Sequence, residues 1–187
     1  NSVAELIALA RAQPGRLTFA SSGTGASSHL AGEMLKHLAR IDITHVPYRG
    51  TGPALTDLIA GTVTMALDTF SVLMPPARNG ALRALAVTTP QRSALAPDLP
   101  ALAETLPGFD AAPFNYIATT AGVPAPIVAR LNAAIVSILN DPAFRARMAA
   151  LGEEPTPSTP EELAATIAAE SARWRQVIEG AGIRLDG

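Results

Sequence analysis

Eight consecutive small residues, Ser21-Ser22-Gly23-Thr24-Gly25-Ala26-Ser27-Ser28, separate an apolar run that suits a strand from an amphipathic run that suits a helix. In such a turn, backbone N–H groups and the positive end of the helix converge on an anion. No Lys follows the glycines, so this is not a Walker-type loop, and Ser28 stands where a dinucleotide fingerprint needs its third glycine. Both departures disfavour a nucleotide. Neutral hydroxyls and amides without a cation suit a carboxylate better than a polyphosphate. The same residues also make a tight turn with Ser as helix cap, and the loop alone leaves both readings open.

Two more loops fall at the ends of strand-like runs. Pro47-Tyr48-Arg49-Gly50-Thr51-Gly52-Pro53 carries Arg49 as its only charge. A guanidinium there can clamp a carboxylate bidentately, and Tyr48 can offer a wall or a hydroxyl. A solvated Arg and a packing Tyr fit the residues equally well. In Asp68-Thr69-Phe70-Ser71, Thr69 and Ser71 are donors, whereas Asp68 repels an anion unless it meets a ligand ammonium or caps the helix. The candidate ligand-binding residues are therefore Ser21, Ser22, Gly23, Thr24, Gly25, Ser27, Ser28, His29, Tyr48, Arg49, Gly50, Asp68 and Thr69.

Other chemistries fit less well. His29, Glu33 and His37 recur every fourth residue, but ligands eight apart drift around a helix and no fourth ligand is apparent, so no metal or other cofactor is expected. His29 is better read as a helix-start residue beside the anion cradle. Ser22 or Ser27, His45, and Asp57 or Asp68 nominally supply a serine-hydrolase triad, yet no G-x-S-x-G elbow occurs. No catalytic residue is assigned.

The elements that must position these loops follow from periodicity. Val3, Leu6, Ile7 and Ala10 share the face of a helix that Ser2 and Glu5 cap and Pro14-Gly15 ends. The spacing predicts a strand at Leu17–Ala20, a helix from about Ser28, a strand at Ile43–Val46, a helix from Pro53 to Ala60 and a strand at Val63–Asp68. A short helix at Ser71–Asn79 and a strand at Leu82–Thr88 follow. This alternation predicts βαβ units with a mostly parallel sheet buried on both faces, and adjacent loops at its carboxyl edge then form the ligand crevice. From Thr89 to Pro113 prolines break every long element. Beyond them the pattern predicts a strand at Phe114–Thr119, an amphipathic helix from Pro126, a second after Asp141-Pro142, and a long last helix opened by the capping box Thr159-Pro160-Glu161-Glu162 and ended by Gly180 or Gly182.

Composition sets the outer bounds. The chain has 187 residues, 48% hydrophobic and 16% charged, with 14 Lys plus Arg against 16 Asp plus Glu. That is enough apolar material for a core and no basic surplus to grip nucleic acid. Aromatics at 4% argue against a base-stacking surface, and the lack of Cys removes disulfides and thiol chemistry. No apolar stretch is long enough for a membrane span, and the first residues lack the pattern of a signal peptide. A chain that opens directly on a capped helix reads as a fragment.

Leu17-Thr18-Phe19-Ala20-Ser21-Ser22-Gly23-Thr24-Gly25 with Ser28-His29-Leu30, then His45-Val46-Pro47-Tyr48-Arg49-Gly50, resembles the Bug-type solute-binding receptors of tripartite tricarboxylate transporters. Matches continue in register through Pro53-Ala54, Asp57-Leu58, Gly61, Gly80, Leu82–Thr88, Arg92-Ser93, Pro97–Pro100, Ala103-Glu104, Pro107–Phe109, Pro124, Leu131-Asn132 and Trp174. The resemblance implies an α/β, two-lobed periplasmic-binding-protein-like fold of type II. Here residues 1–88 are one complete ligand-binding lobe, 89–113 the interlobe connection, and 114–187 the C-terminal part of the other lobe without its N-terminal strands. It further implies an extracytoplasmic, periplasmic receptor that captures a small organic anion (a di- or tricarboxylate, an amino acid or an aromatic acid) and hands it to membrane permease subunits without catalysis. The binding segments carry over onto Ser21–Ser28, Tyr48–Gly52 and Asp68–Phe70. An incomplete second lobe would leave the apolar stripes after Pro126 exposed, which predicts weak half-site binding and self-association. Two alternatives are a serine-type hydrolase and the effector-binding domain of a transcription regulator.

Overall fold

Short apolar runs, each closed by small or turn-forming residues, build a three-stranded parallel sheet in the computed structural model, which describes residues 1–183. The elements in order are α1 (Val3–Ala12), β1 (Thr18–Ser21), α2 (Ser27–Ala39), β2 (Thr44–Pro47), α3 (Thr51–Ile59), β3 (Met65–Ala66), α4 (Phe70–Arg78), a 3-10 turn (Leu102–Glu104), α5 (Ala125–Asn140), α6 (Pro142–Ala150) and α7 (Pro160–Ala181). Strand order is β2-β1-β3, with Phe19 opposite both His45 and Met65, and Ala20 opposite Val46 and Ala66.

Alternate residues of the central strand face opposite sides of the sheet, and the two sides are covered by different helices. Ala20 packs with Ala54 of α3 and Val63, with Val46, Tyr48, Leu58 and Ala66 around them. Phe19, fully buried, points at α2, and the approach is so close that a Cβ on Gly32 would lie 2.1 Å from the Phe19 ring. Only glycine lets α2 lie that near the sheet. The crossover through α2 goes to one side of β1 and the crossover through α3 goes to the other. The loops after β1 and β3 therefore part at a topological switch point, where open α/β sheets bind ligands.

Three expectations for strands need correction. The third strand shrinks to Met65–Ala66. Leu82–Thr88 is not a strand: its one sheet-like contact is a parallel bridge between Val87 and Ala101. Phe114–Thr119 is not a strand either, and Phe114, Tyr116 and Ile117 are exposed. A strand requires a neighbour that accepts and donates along its length; among the described residues Pro100, Leu102 and Ala111 bond only Val87 and Thr88 at the end of the first stretch, and no backbone bond joins the second to a neighbour. In the 89–113 region Arg92 holds Glu104 through Nε–Oε1 (2.8 Å) and Nη2–Oε2 (2.9 Å), and Glu104 Oε1 also accepts from Ala101 N–H.

The chain divides into two compact units, one comprising Asn1–Pro113 with the described part of Gln176–Gly187, the other Phe114–Arg175. The last four residues of the segment 114–187 lie outside the described residues. In the second unit no residue of α5 or α6 is buried, and Ile127, Leu131 and Ile138 of α5 stand exposed. Asp141 caps α6, and Thr159 with Glu162 forms the capping box of α7. Among the described residues no single helix is long and apolar enough to cross a membrane.

Candidate functional site

At the carboxyl edge of the sheet three helices begin, and none of them is capped by a side chain. The N-cap positions are Ala26 for α2, Gly50 for α3 and Thr69 for α4. The first N–H groups of a helix have no partner within it. Here those of Ser27, Ser28 and His29, of Thr51 and Gly52, and of Phe70 and Ser71 find no acceptor among the described residues either. The N–H of Thr24 in the turn likewise has no acceptor among the described residues. Peptide dipoles of α2, α3 and α4 add partial positive charge to this edge.

The turn between β1 and α2 is fixed from inside. Ser22 N–H donates to Ser28 Oγ (2.9 Å), the Ser22 and Ser28 hydroxyls are bonded at 2.9 Å, and Ala26 N–H donates to Gly23 O (3.1 Å). Gly25 adopts φ +81, which side-chain-bearing residues rarely take, and its N–H donates to His29 Nδ1 at 3.1 Å. Ser21, fully buried, places Oγ 2.6 Å from His45 Nε2. Burial, with His29 and Lys36 nearby, pushes the His45 imidazole down to about 4. Burial also lowers His29, with Glu33 opposing and Lys36 adding to the effect.

The three loops are linked in series. Tyr48 N–H donates to Ser21 O and Gly50 N–H to Ser22 O, both at 3.0 Å. Thr51 Oγ1 donates to Asp68 Oδ2 (3.2 Å), and Thr69 N–H donates to Asp68 Oδ1 (2.7 Å). A shallow, open depression lies where the first and third loops part, lined by Ser27, Ser28, Ala31, Leu67, Asp68, Thr69, Thr88, Ala111 and Pro113. Asp68 is its only charged side chain.

Of the residues expected at the site, Ser27, Ser28, Asp68 and Thr69 line this depression. Ser21, Ser22, Gly23, Gly25 and His29 form the turn behind it. Thr24 is exposed on the turn. Tyr48, Arg49 and Gly50 sit beside that turn but do not line the depression. The Tyr48 hydroxyl donates to Asp57 Oδ2 at 2.7 Å, which raises its own proton affinity, so that donor is already committed. Arg49 is exposed and makes no side-chain bond among the described residues. Sequence reasoning missed Thr88, Ala111 and Pro113, which arrive from distant segments, and it missed the Ser21–His45 bond. The hydrolase triads are not assembled: His45 meets Ser21 instead of Ser22 or Ser27, Asp57 holds Tyr48, and Asp68 holds Thr51 and Thr69. Among the described residues no group of three or more His, Asp or Glu could hold a metal ion.

The parallel sheet, with donor-rich loops at its switch point, gives this unit an α/β fold of periplasmic-binding-protein type. The chain belongs to the tripartite tricarboxylate transporter family receptor family (TctC), whose model matches residues 1–183. It is 36% identical over 178 residues, or 94% of its length, to a protein encoded in the tcbD–tcbE intergenic region of Pseudomonas sp. strain P51, and covers 53% of that protein. It is 33% identical to protein BugT of Bordetella pertussis over 99% of its length, covering 57% of BugT. Among solved structures, an R. palustris protein with adipate matches 97% of the chain at 35% identity and a TM-score of 0.89, with 61% of that protein covered. MatC from Rhodopseudomonas palustris with bound malate matches 95% at 31% identity and a TM-score of 0.78, with 62% covered. The chain thus spans about half the length of these curated relatives and under two thirds of the solved chains.

Proposed function

We propose that this protein is an extracytoplasmic solute-binding receptor that captures a small organic anion for a tripartite tricarboxylate transporter. The observation that carries the reading is the pair of uncapped starts of α2 and α4 at one depression, with the uncapped start of α3 on the same sheet edge, in a member of this receptor family. A ligand carboxylate sits on the free N–H groups of Ser27 and Ser28, with the Ser27 hydroxyl beside it and Thr69, whose hydroxyl donates to Asp68 Oδ1 (3.1 Å), at the rim. Thr24, Arg49 and Gly50 serve the open side of the first two loops. Asp68 disfavours a second ionised carboxylate at its own position and favours a ligand hydroxyl or ammonium there. The ligand is held and released unchanged, in the periplasm, to membrane permease subunits. The similar proteins solved with adipate and with malate support a dicarboxylate or related acid.

Residues 1–88 form the ligand-binding lobe in this reading, 89–113 the connection, and 114–187 part of a second lobe. Neither the geometry nor the comparisons favour a hydrolase or a regulator. Isothermal titration calorimetry with adipate, malate, citrate, glutamate and benzoate tests the reading. At least one is expected to give saturable one-to-one binding that Ala26→Asp weakens at least tenfold. Absence of saturable heat with all five overturns it.

A further inference from the structure

Behind the donor loop three rings stack in a row. Phe19 and His45 have centroids 4.9 Å apart with planes at 24°, and His45 and His29 are 4.0 Å apart at 14°. Each imidazole also holds the turn. A backbone N–H only donates, so the bond from Gly25 N–H fixes His29 Nδ1 as an acceptor and places the ring proton of a neutral His29 on Nε2. His45 Nε2 meets Ser21 Oγ, and that hydroxyl bridges to both Gly23 O (3.2 Å) and Gly23 N–H (3.3 Å). Residues 21, 23 and 25 are thereby tied to two imidazoles, immediately before the open amides of α2.

We propose that His29 and His45 are positioning residues that keep the turn in its donor-outward shape only while both rings are neutral, so that acid releases the turn. A proton on His29 Nδ1 would set one N–H against another at Gly25, replacing an attraction with a repulsion. A second proton on His45 would place two cations face to face at the 4.0 Å stacking distance. The charged groups acting on the rings are Glu33 and Lys36 of α2, besides the rings themselves, and β1 contributes Phe19 and Ser21 without charge. Glu33 is no free counter-ion, because it is already paired with Lys36 at 2.9 Å. Bare electrostatics has the opposite sign: a cationic ring behind an anion cradle would strengthen it.

Nuclear magnetic resonance on the full protein without ligand tests this from pH 7.5 to 3.5, and its result stands apart from whether any anion binds. At pH 7 the nitrogen shifts of His29 should report an unprotonated Nδ1. As His29 titrates, exchange of the Gly25 amide, corrected for its intrinsic pH dependence, should accelerate at least tenfold. His29→Asn supplies a carbonyl acceptor that does not titrate and should restore Gly25 protection with a flat profile, whereas His29→Ala should lose it at every pH. A proton found on Nδ1 at pH 7, or Gly25 protection unchanged through the His29 titration, overturns the proposal.

Discussion

Helix starts at the carboxyl edge of the sheet differ from helix starts elsewhere. Ser2 caps α1, Asp141 caps α6, and Thr159 with Glu162 closes a reciprocal box on α7. Ala26, Gly50 and Thr69 give α2, α3 and α4 no side-chain bond. Because α5 also starts uncapped after Pro124, a missing cap alone marks nothing; the distinguishing fact is that three such starts share one edge. A cap is worth about 1 kcal/mol, so this edge forgoes about three times that in stability. In the proposed reading, the difference separates helix ends that serve the fold from helix ends left available to a ligand.

The strongest way to break the contrast is to dislodge α2. Gly32→Ala puts a methyl against the Phe19 ring, and overpacking of up to about 3 kcal/mol outweighs the roughly 1 kcal/mol that Ala gains in helix propensity. Urea denaturation should show a net loss of about 2 kcal/mol. Ala26→Asp sharpens the contrast by giving α2 the cap it lacks. Its extended N-cap backbone (φ −67, ψ 159) suits one, so stability should rise by about 1 kcal/mol while affinity for the bound anion drops at least tenfold. Stability and affinity moving in the same direction would contradict the division of roles.

Thr159→Ala is the converse, removing a cap from a helix with no part in the cradle. It should lower stability by about 1 kcal/mol in denaturation and leave anion titrations unchanged. The pH dependence of stability gives a separate test. His45 binds its proton more weakly in the folded chain than in the unfolded one, so the unfolded state takes up protons first. Stability should decline as pH falls from about 6.5 toward the His45 value of about 4. In His45→Gln the thermal midpoint should decline less over that range.

Much of this edge is legible in the sequence. Apolar runs closed by Ser-Gly, Gly-Pro and Asp-Thr pairs mark β1, β2 and β3 and the loops after them, since turn chemistry and strand patterning are local. Leu82–Thr88 failed as a strand because its apolar run carries propensity but brings no partner, and only Val87 finds one, in Ala101. Tyr48 looked like a free hydroxyl, yet Asp57, one helix face away, takes it. The Ser21–His45 bond spans two strands and 24 positions, beyond any local signal. Pairing Phe19 with His45 would have exposed it, because residues two apart on a strand share a face.

Most donors at this edge belong to the main chain. Replacing a side chain cannot delete a peptide N–H unless the replacement is proline, so drift in sequence leaves such a receptor surface largely intact. What mutation can reach are the few groups that aim the main chain: Gly25, Gly32, Ser28 and the two stacked imidazoles. Selection on this lobe therefore bears on its scaffolding more than on the surface that a solute would touch.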